Sequence, residues 1–517
     1  MLFNSYAFLF LFLPVTFLAF FIMGRYSRLL AAFWLFASSL FFYGWWNPTY
    51  VGLLLSSILF NYAVGTALSS EYVQGRIKVK KWILGLGISA DLGLLGFYKY
   101  ANFFVENTNI ALNMDWHLDP IILPLGISFF TFTQIAFLVD AYRGEVKEAN
   151  FIHYGLFVTY FPHLIAGPVL HHKEMMPQFA LPQTYRINWE NLSVGLSIFS
   201  MGLFKKVVLA DGIAVYAGHP FIIAAEGGTL SFIEAWGGAL AYTFQLYFDF
   251  SGYSDMAIGI SRLFGVKLPL NFDSPYKAVN IIDFWRRWHM TLSRFLRDYL
   301  YFALGGNRKS PARRYLNLMV TMLLGGLWHG AGWTFVIWGA LHGFYLVTNH
   351  GWHQVRKALG HDLKHSTMLG RLAGMLLTFI VVVIGWVFFR AASFDAALVM
   401  LRGMAGFNGI ILPGSLQSLC PVQLTGLMGS LGIHFGHLPY LHKDALVWIG
   451  TLWFLSWLAP NTQQIMAHFK PALDEIKEPA HYFSWKPTQA YAWLIGFILI
   501  TSLFNMNRVS EFLYFQF

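Results

Sequence analysis

The residue most able to do chemistry is a histidine in an apolar run, within Gly325-Gly326-Leu327-Trp328-His329-Gly330-Ala331-Gly332-Trp333. His329 lies fifteen residues beyond Arg314, the last of a basic cluster. A helix rising about 1.5 Å per residue carries it roughly 22 Å from that basic surface. A hydrocarbon core is about 30 Å thick, so the imidazole is expected well inside it. An ionisable side chain at that depth is costly and marks a functional site by default. Its lone pair suits a general base acting on a hydroxyl, or a nucleophile that carries a group covalently. The flanking glycines leave room for a substrate to approach the ring. The alternative is a neutral histidine hydrogen-bonded between helices; the glycines on both sides and the tryptophans at Trp328 and Trp333 weigh against it.

The stretch 283–314 comes next. It holds eight basic residues, Arg286, Arg287, Arg294, Arg297, Arg308, Lys309, Arg313 and Arg314, against Asp283 and Asp298. Phe284, Trp285, Trp288, Leu292, Phe295, Tyr299 and Leu300 recur at steps of three and four, which predicts one face of a helix. Such a helix, aromatic on one side and Arg-rich on the other, lies in the membrane interface. It can be a plain anchor on the basic side of the bilayer. Equally, Arg286, Arg287, Arg294 and Arg297 can grip a polyphosphate donor such as coenzyme A, because a guanidinium pairs with phosphate through two hydrogen bonds. His289 is expected on the polar side of this helix, with Arg286 and Arg297.

Other candidates carry less. His163, His171 and His172 flank Ala166-Gly167-Pro168 and read as a re-entrant turn; His342, further along the run of His329, is given no role. The chain lacks the H-E-x-x-H pattern and other metal spacings, so no metal is expected. Asp249-Phe250-Ser251-Gly252-Tyr253-Ser254-Asp255 lacks the G-x-S-x-G elbow of serine hydrolases, and Ser251 or Ser254 is expected to cap the following helix.

These residues must be positioned by membrane-spanning helices. Of 517 residues, 56% are hydrophobic and 12% charged, whereas soluble domains carry about 25% charged residues. Apolar runs recur to the end of the chain, which predicts one polytopic domain over 1–517, with 283–350 as its catalytic core. Leu2–Met23 has no basic residue ahead of it and no small-residue cleavage pattern behind, so it reads as a retained anchor rather than a secretory signal. Candidate spans are Tyr6–Met23, Leu29–Trp46, Val51–Leu68, Trp82–Tyr100, Ile121–Val139, Leu192–Val215, Ile233–Phe250, Tyr315–His350 (interrupted near Gly330), Leu372–Phe389, Ala445–Leu458 and Ala490–Phe504. Arg25 and Arg28, the group Arg76, Lys78, Lys80 and Lys81, and the loop with Lys470, Lys477 and Lys486 belong inside. The N-terminus is then outside, the arms around His329 return to the cytoplasm past Arg356, Lys357, Lys364 and Arg371, and a weakly charged loop from about Gly403 to Lys443 faces out. The net charge of +10 follows from those loops, and no nucleic-acid module accompanies it. One cysteine, Cys420, excludes an internal disulfide.

With these strings assembled, the chain resembles the membrane-bound O-acyltransferase family, most closely its alginate O-acetyltransferase branch. The resemblance rests on Met1–Pro14, Gly96-Phe97-Tyr98-Lys99-Tyr100, Pro124-Leu125-Gly126-Ile127-Ser128-Phe129, Phe161-Pro162-His163-Leu164-Ile165-Ala166-Gly167-Pro168, Gln245–Gly259, Phe284–Asn307, Leu323–Gly332 and Phe512–Phe517. It implies an all-α membrane fold of about eleven transmembrane helices plus re-entrant segments around a central channel or funnel. It also implies that His329 matches the family's catalytic histidine and His289 its second functional position. The implied activity takes acetyl from a cytoplasmic donor, acetyl-CoA, with no bound cofactor, and passes it across the bacterial inner membrane to a periplasmic acetyltransferase partner that acetylates an exopolysaccharide. The branch includes peptidoglycan O-acetylating proteins, and the D-alanyl transferase of teichoic acids is a cousin. A transporter of polymer or donor without chemistry is the rival from another class; it would string ionisable residues along a pathway in two related halves, whereas this sequence concentrates them at one histidine and one basic surface.

Overall fold

In lipid every backbone N–H and C=O must be satisfied within the protein, which leaves apolar chains little choice but helix. The computed structural model is accordingly almost all helix. It describes the chain apart from residues 147–149, 166, 364–366, 431, 477, 481, 507–512 and 514–517. Expectations resting on Ala166, Lys364, Lys477 and most of Phe512–Phe517 therefore lie outside the described residues. Among the described residues the only strands are Ile410–Pro413 and Ile433–Gly436, paired in parallel. Among the same described residues four helices, Phe8–Tyr26, Thr49–Ser69, Trp189–Ala225 and Met368–Arg390, are long and apolar enough to cross a bilayer, and Arg28–Gly44, Asp444–Leu458 and Gln489–Asn505 are shorter apolar helices.

At the centre stands Phe232–Leu263, a helix of 32 residues. The expected span ended at Phe250 with a serine cap beyond it. Instead the helix continues through Ser251–Asp255, because those polar residues are buried among neighbouring helices rather than exposed at an end. Asp249 of this helix accepts a 2.7 Å contact from Lys206, which also meets Asp211 at 2.8 Å. This ion triad ties the central helix to Trp189–Ala225 where that helix widens at Lys205–Ala210. The loops sort to two ends. At the basic end Leu473 N–H donates to Leu268 O at 3.0 Å and Lys277 Nζ to Ala459 O at 2.8 Å. At the far end the buried Glu234 carboxylate accepts from Tyr440 N–H at 3.1 Å, and Trp236 Nε1 donates to Met404 O at 3.0 Å, which fixes the loop after Gly403.

The element that matters most is a helical hairpin, as the interrupted run suggested. Pro311–His329 rises from a Ser310 cap at the basic end, Gly330–Gly332 turn, and Trp333–Ala358 returns. Arg314 meets His350 at 2.7 Å at its base. The glycines serve this packing. A Cβ on Gly326 would overlap the carbonyl of Phe335, one on Gly339 the carbonyl of Met322, and one on Gly330 the Phe335 ring. The expected role for the glycines beside His329, room for a substrate, is therefore not what Gly326 and Gly330 provide: each is filled by the opposing helix. Gly339→Val should force the arms apart, with an overpacking cost of about 1–3 kcal/mol. The expected outcome is a lower thermal midpoint in detergent together with reduced activity; an unchanged midpoint would show that the crossing tolerates the extra carbons.

Candidate active site

His329 is the last residue of its helix and only 5% exposed. Trp328, Trp338 and Phe389 present their rings to it nearly edge-on, at centroid distances of 4.9, 5.1 and 5.2 Å. A helix that stops here leaves the carbonyls of its last four residues without intrahelical partners, and its burial keeps water from supplying them. Each is met. Gly326 O accepts from Gly330 N–H at 3.4 Å, Leu327 O from the Tyr100 hydroxyl at 2.8 Å, Trp328 O from Lys99 Nζ, and His329 O from Lys99 Nζ at 3.2 Å. Lys99 sits on a wide turn, Gly96–Tyr100, and Ser128 Oγ is a further acceptor at 3.5 Å. Its cation at the negative end of the helix is also electrostatically favourable. Beyond the turn, Trp333 Nε1 donates to Asn107 Oδ1 at 2.8 Å, so the hairpin tip is held from both sides.

His289 reaches the same place by a different device. The expected single helix across 283–314 is broken into Ile281–Trp285 and Met290–Phe295, followed by a wide turn at Leu296–Tyr301. The break is His289 itself, at φ 43° and ψ 52°, left-handed values that cost a non-glycine residue energy and cluster at functional sites. The kink swings the ring off the polar face where it was expected and into the core, with no exposed surface and a centroid 6.4 Å from that of His329. Asn271 holds it: its Oδ1 lies 3.0 Å from His289 Nδ1 and 2.9 Å from Thr291 Oγ1, and its backbone O accepts from Met290 N–H at 3.0 Å. With an amide oxygen facing it, Nδ1 carries the proton and Nε2 the lone pair.

Of the four arginines, Arg286, Arg294 and Arg297 line one cavity of about 450 Å³, together with Trp285, Met290 and His350. Arg294 is held by Glu174 at 2.7 Å and Arg297 by Asp298 at 2.7 Å; Arg286 is exposed. Arg287 turns away, bound to Asp283 at 2.9 Å and Asp273 at 3.8 Å, and does not line this cavity. His171 and His172 lie in a separate cluster, on Tyr299 at 3.0 Å and Asp140 at 2.9 Å. Burial, then the Arg294 charge, pushes His171 down to about 4. Among the described residues no group of three or more His, Cys, Asp or Glu is placed to hold a metal ion.

Lys99, Tyr100 and Asn271 carry the site yet had no role by sequence. A lysine inside the apolar run Trp82–Tyr100 is itself the signal that could have found Lys99, since a charge there needs a purpose. For Asn271 no local signal exists.

Residues 16–389 match the family model described as MBOAT, membrane-bound O-acyltransferase. The chain is 48% identical to a peptidoglycan O-acetyltransferase of Helicobacter pylori over 440 residues, covering 80% of this chain and 81% of that one. It is 43% identical to a probable alginate O-acetylase of Pseudomonas putida, covering 83% and 84%. With another probable alginate O-acetylase, from Pseudomonas syringae, identity is 38% over the full length of both.

Lys99→Met should release two carbonyls at the end of the His329 helix. A hydrogen bond to a charged group contributes about 1.5–3 kcal/mol, so kcat should fall about tenfold or more, with donor KM changed far less. Initial rates on the purified variant test this, and a wild-type kcat would remove Lys99 from the site.

Proposed function

The chain belongs to the membrane-bound O-acyltransferase family and is an acyltransferase, and from that premise we propose that it takes acetyl from acetyl-CoA at the cytoplasmic face and passes it across the bacterial inner membrane, for O-acetylation of an exopolysaccharide, alginate first. In this reading the whole chain works as one membrane domain of about eleven transmembrane helices, its N-terminus is outside, and residues 283–350 are the catalytic core. The observation that carries the proposal is His329 itself, an imidazole at the capped end of a helix with His289 beside it and an arginine-lined cavity flanking the same segment.

The cavity suits phosphates first through the exposed Arg286, with Arg294 and Arg297 fixed beside it by Glu174 and Asp298 and adding positive charge. Bound there, the donor's thioester would face His329. The ring's lone pair can take the proton of an incoming hydroxyl as oxygen attacks the thioester carbonyl, or can attack that carbon itself and hold the acetyl as an acyl-imidazole; either way the thiolate leaves and is protonated. His289, with Nδ1 fixed on Asn271, orients one reactant. The acetyl then goes to a periplasmic acetyltransferase partner, for which the loop from Gly403 to Lys443, fastened to Glu234, is the docking surface. A second reading, O-acetylation of peptidoglycan, is favoured by the 48% identity to a relative of that name.

His329→Ala should abolish acetyl transfer while the protein still accumulates in the membrane; acetylation retained in that variant would contradict the assignment. Arg286→Ala should raise the acetyl-CoA KM about tenfold, the loss of one charge-assisted hydrogen bond, whereas a pure kcat loss would contradict phosphate binding. Mass spectrometry of exopolysaccharide and peptidoglycan from a deletion strain separates the two polymers: acetyl esters should disappear from one of them, and their survival on both would overturn the proposal.

A further inference from the structure

A groove of about 490 Å³ lies apart from the arginine cavity, and among the described residues none lines both. It runs between three apolar helices, with Leu209 contributed by Trp189–Ala225, Leu455 by Asp444–Leu458 and Ile498 by Gln489–Asn505. Phe454 and Leu458, which also line it, are 55% and 63% exposed, so the groove opens outward. Ser274 and Asn461 line it too, and they belong to the basic end, where Lys277 holds Ala459 O. Ser274 takes a left-handed backbone, φ 46° and ψ 60°, and its hydroxyl accepts from Asn461 Nδ2 at 3.0 Å. Among the described residues one cation lines the groove, Lys205, at the start of the wide turn Lys205–Ala210. Its Nζ meets Asp255 Oδ2 at 2.7 Å, the one hydrogen-bond partner it has among the described residues. An ammonium has three donors, so two N–H groups are left to a groove lined mostly by carbon.

We propose that this groove is a binding site for one glycerophospholipid, whose acyl chain lies between the three helices and whose glycerol-ester carbonyl accepts a hydrogen bond from Lys205. The occupant follows from the walls and from the cation together. Helices this apolar present the outside of the groove to hydrocarbon, and an exposed apolar surface of that kind marks a membrane contact. A plain hydrocarbon tail would fill the space but leave the spare N–H groups of Lys205 without acceptors, which is costly away from water. A glycerophospholipid brings both parts, a long chain and oxygens at its interfacial end. The ester is the fitting acceptor because Asp255 already supplies the counter-charge of Lys205; a phosphate would bring a second anion to a neutralised pair. Ser274 and Asn461 mark the basic end of the groove, so the glycerol lies on that side and the chain extends away from it. The bound chain fastens Asp444–Leu458 and Gln489–Asn505 to the central bundle, beside the Lys206 ion triad. This site is separate from the donor cavity and does not depend on which polymer is acetylated.

The test uses the full-length protein, delipidated in detergent, as wild type, Ile498→Trp and Lys205→Met. The probes are phosphatidylglycerol with two ester-linked chains and its ether-linked analogue, which lacks the carbonyls; binding is read by native mass spectrometry and by the thermal midpoint. The wild type should take up the ester lipid with saturation and melt higher as its concentration rises, and should bind the ether analogue about tenfold more weakly, the loss of one charge-assisted hydrogen bond. Ile498→Trp fills the groove and leaves the ion pair intact, so it should lose uptake of both lipids and the rise in midpoint. Lys205→Met should bind ester and ether lipids alike; if that variant fails to accumulate, the ester-to-ether ratio of the wild type and the loss in Ile498→Trp decide. Wild-type uptake in Ile498→Trp, equal binding of the ester and ether lipids by the wild type, or an equal rise in midpoint with a detergent of the same chain length overturns the inference.

Discussion

A helix that ends buried within the protein, away from water, must find partners for its last four carbonyls, and this requirement organises the molecule around His329. Ending the helix there is what puts the imidazole at a tip rather than in the side of a continuous rod. The cost would be prohibitive without Tyr100 and Lys99, which meet Leu327, Trp328 and His329 in turn. A lysine deep in an apolar run is equally untenable alone. Each solves the other's problem: the ammonium gains carbonyl acceptors, and the carbonyls gain a charged donor.

The same logic recurs along the chain. Lys206 is buried in the core, and Asp211 and Asp249 flank it. Both lysines sit where a helix widens by a residue, at Gly96–Tyr100 and Lys205–Ala210. Such wide turns redirect side chains and are common at functional sites. His289 achieves a comparable redirection by taking a left-handed backbone, with Asn271 fastening the result. Irregular backbone is tolerated at this depth because protein, rather than lipid, surrounds it.

Much of this was legible in the residues. A histidine among apolar residues, fifteen positions from a basic cluster, located the tip of the hairpin, because helix rise and bilayer thickness are fixed lengths. The identity of the family was legible in long motif strings. Less legible was anything set by contact across the fold. Spacing alone gave one helix for 283–314, since the aromatic steps fit 3.6 residues per turn, yet a single left-handed residue breaks it. The glycines beside His329 looked like space for substrate; Gly326 and Gly330 instead accept the backbone and a ring of the returning helix. Arg287 is indistinguishable from Arg286 in sequence, but two aspartates, one of them fourteen residues away, hold it out of the cavity.

The central claim is that one imidazole serves a thioester from one compartment and a hydroxyl from the other. The most direct measurement uses sealed vesicles with the basic face of the protein outward, labelled acetyl-CoA added outside, and a membrane-impermeant acceptor system trapped within. The account predicts labelled acetyl ester in the lumen, dependent on the intact protein. Label appearing only on an acceptor supplied outside, alongside the donor, would contradict it.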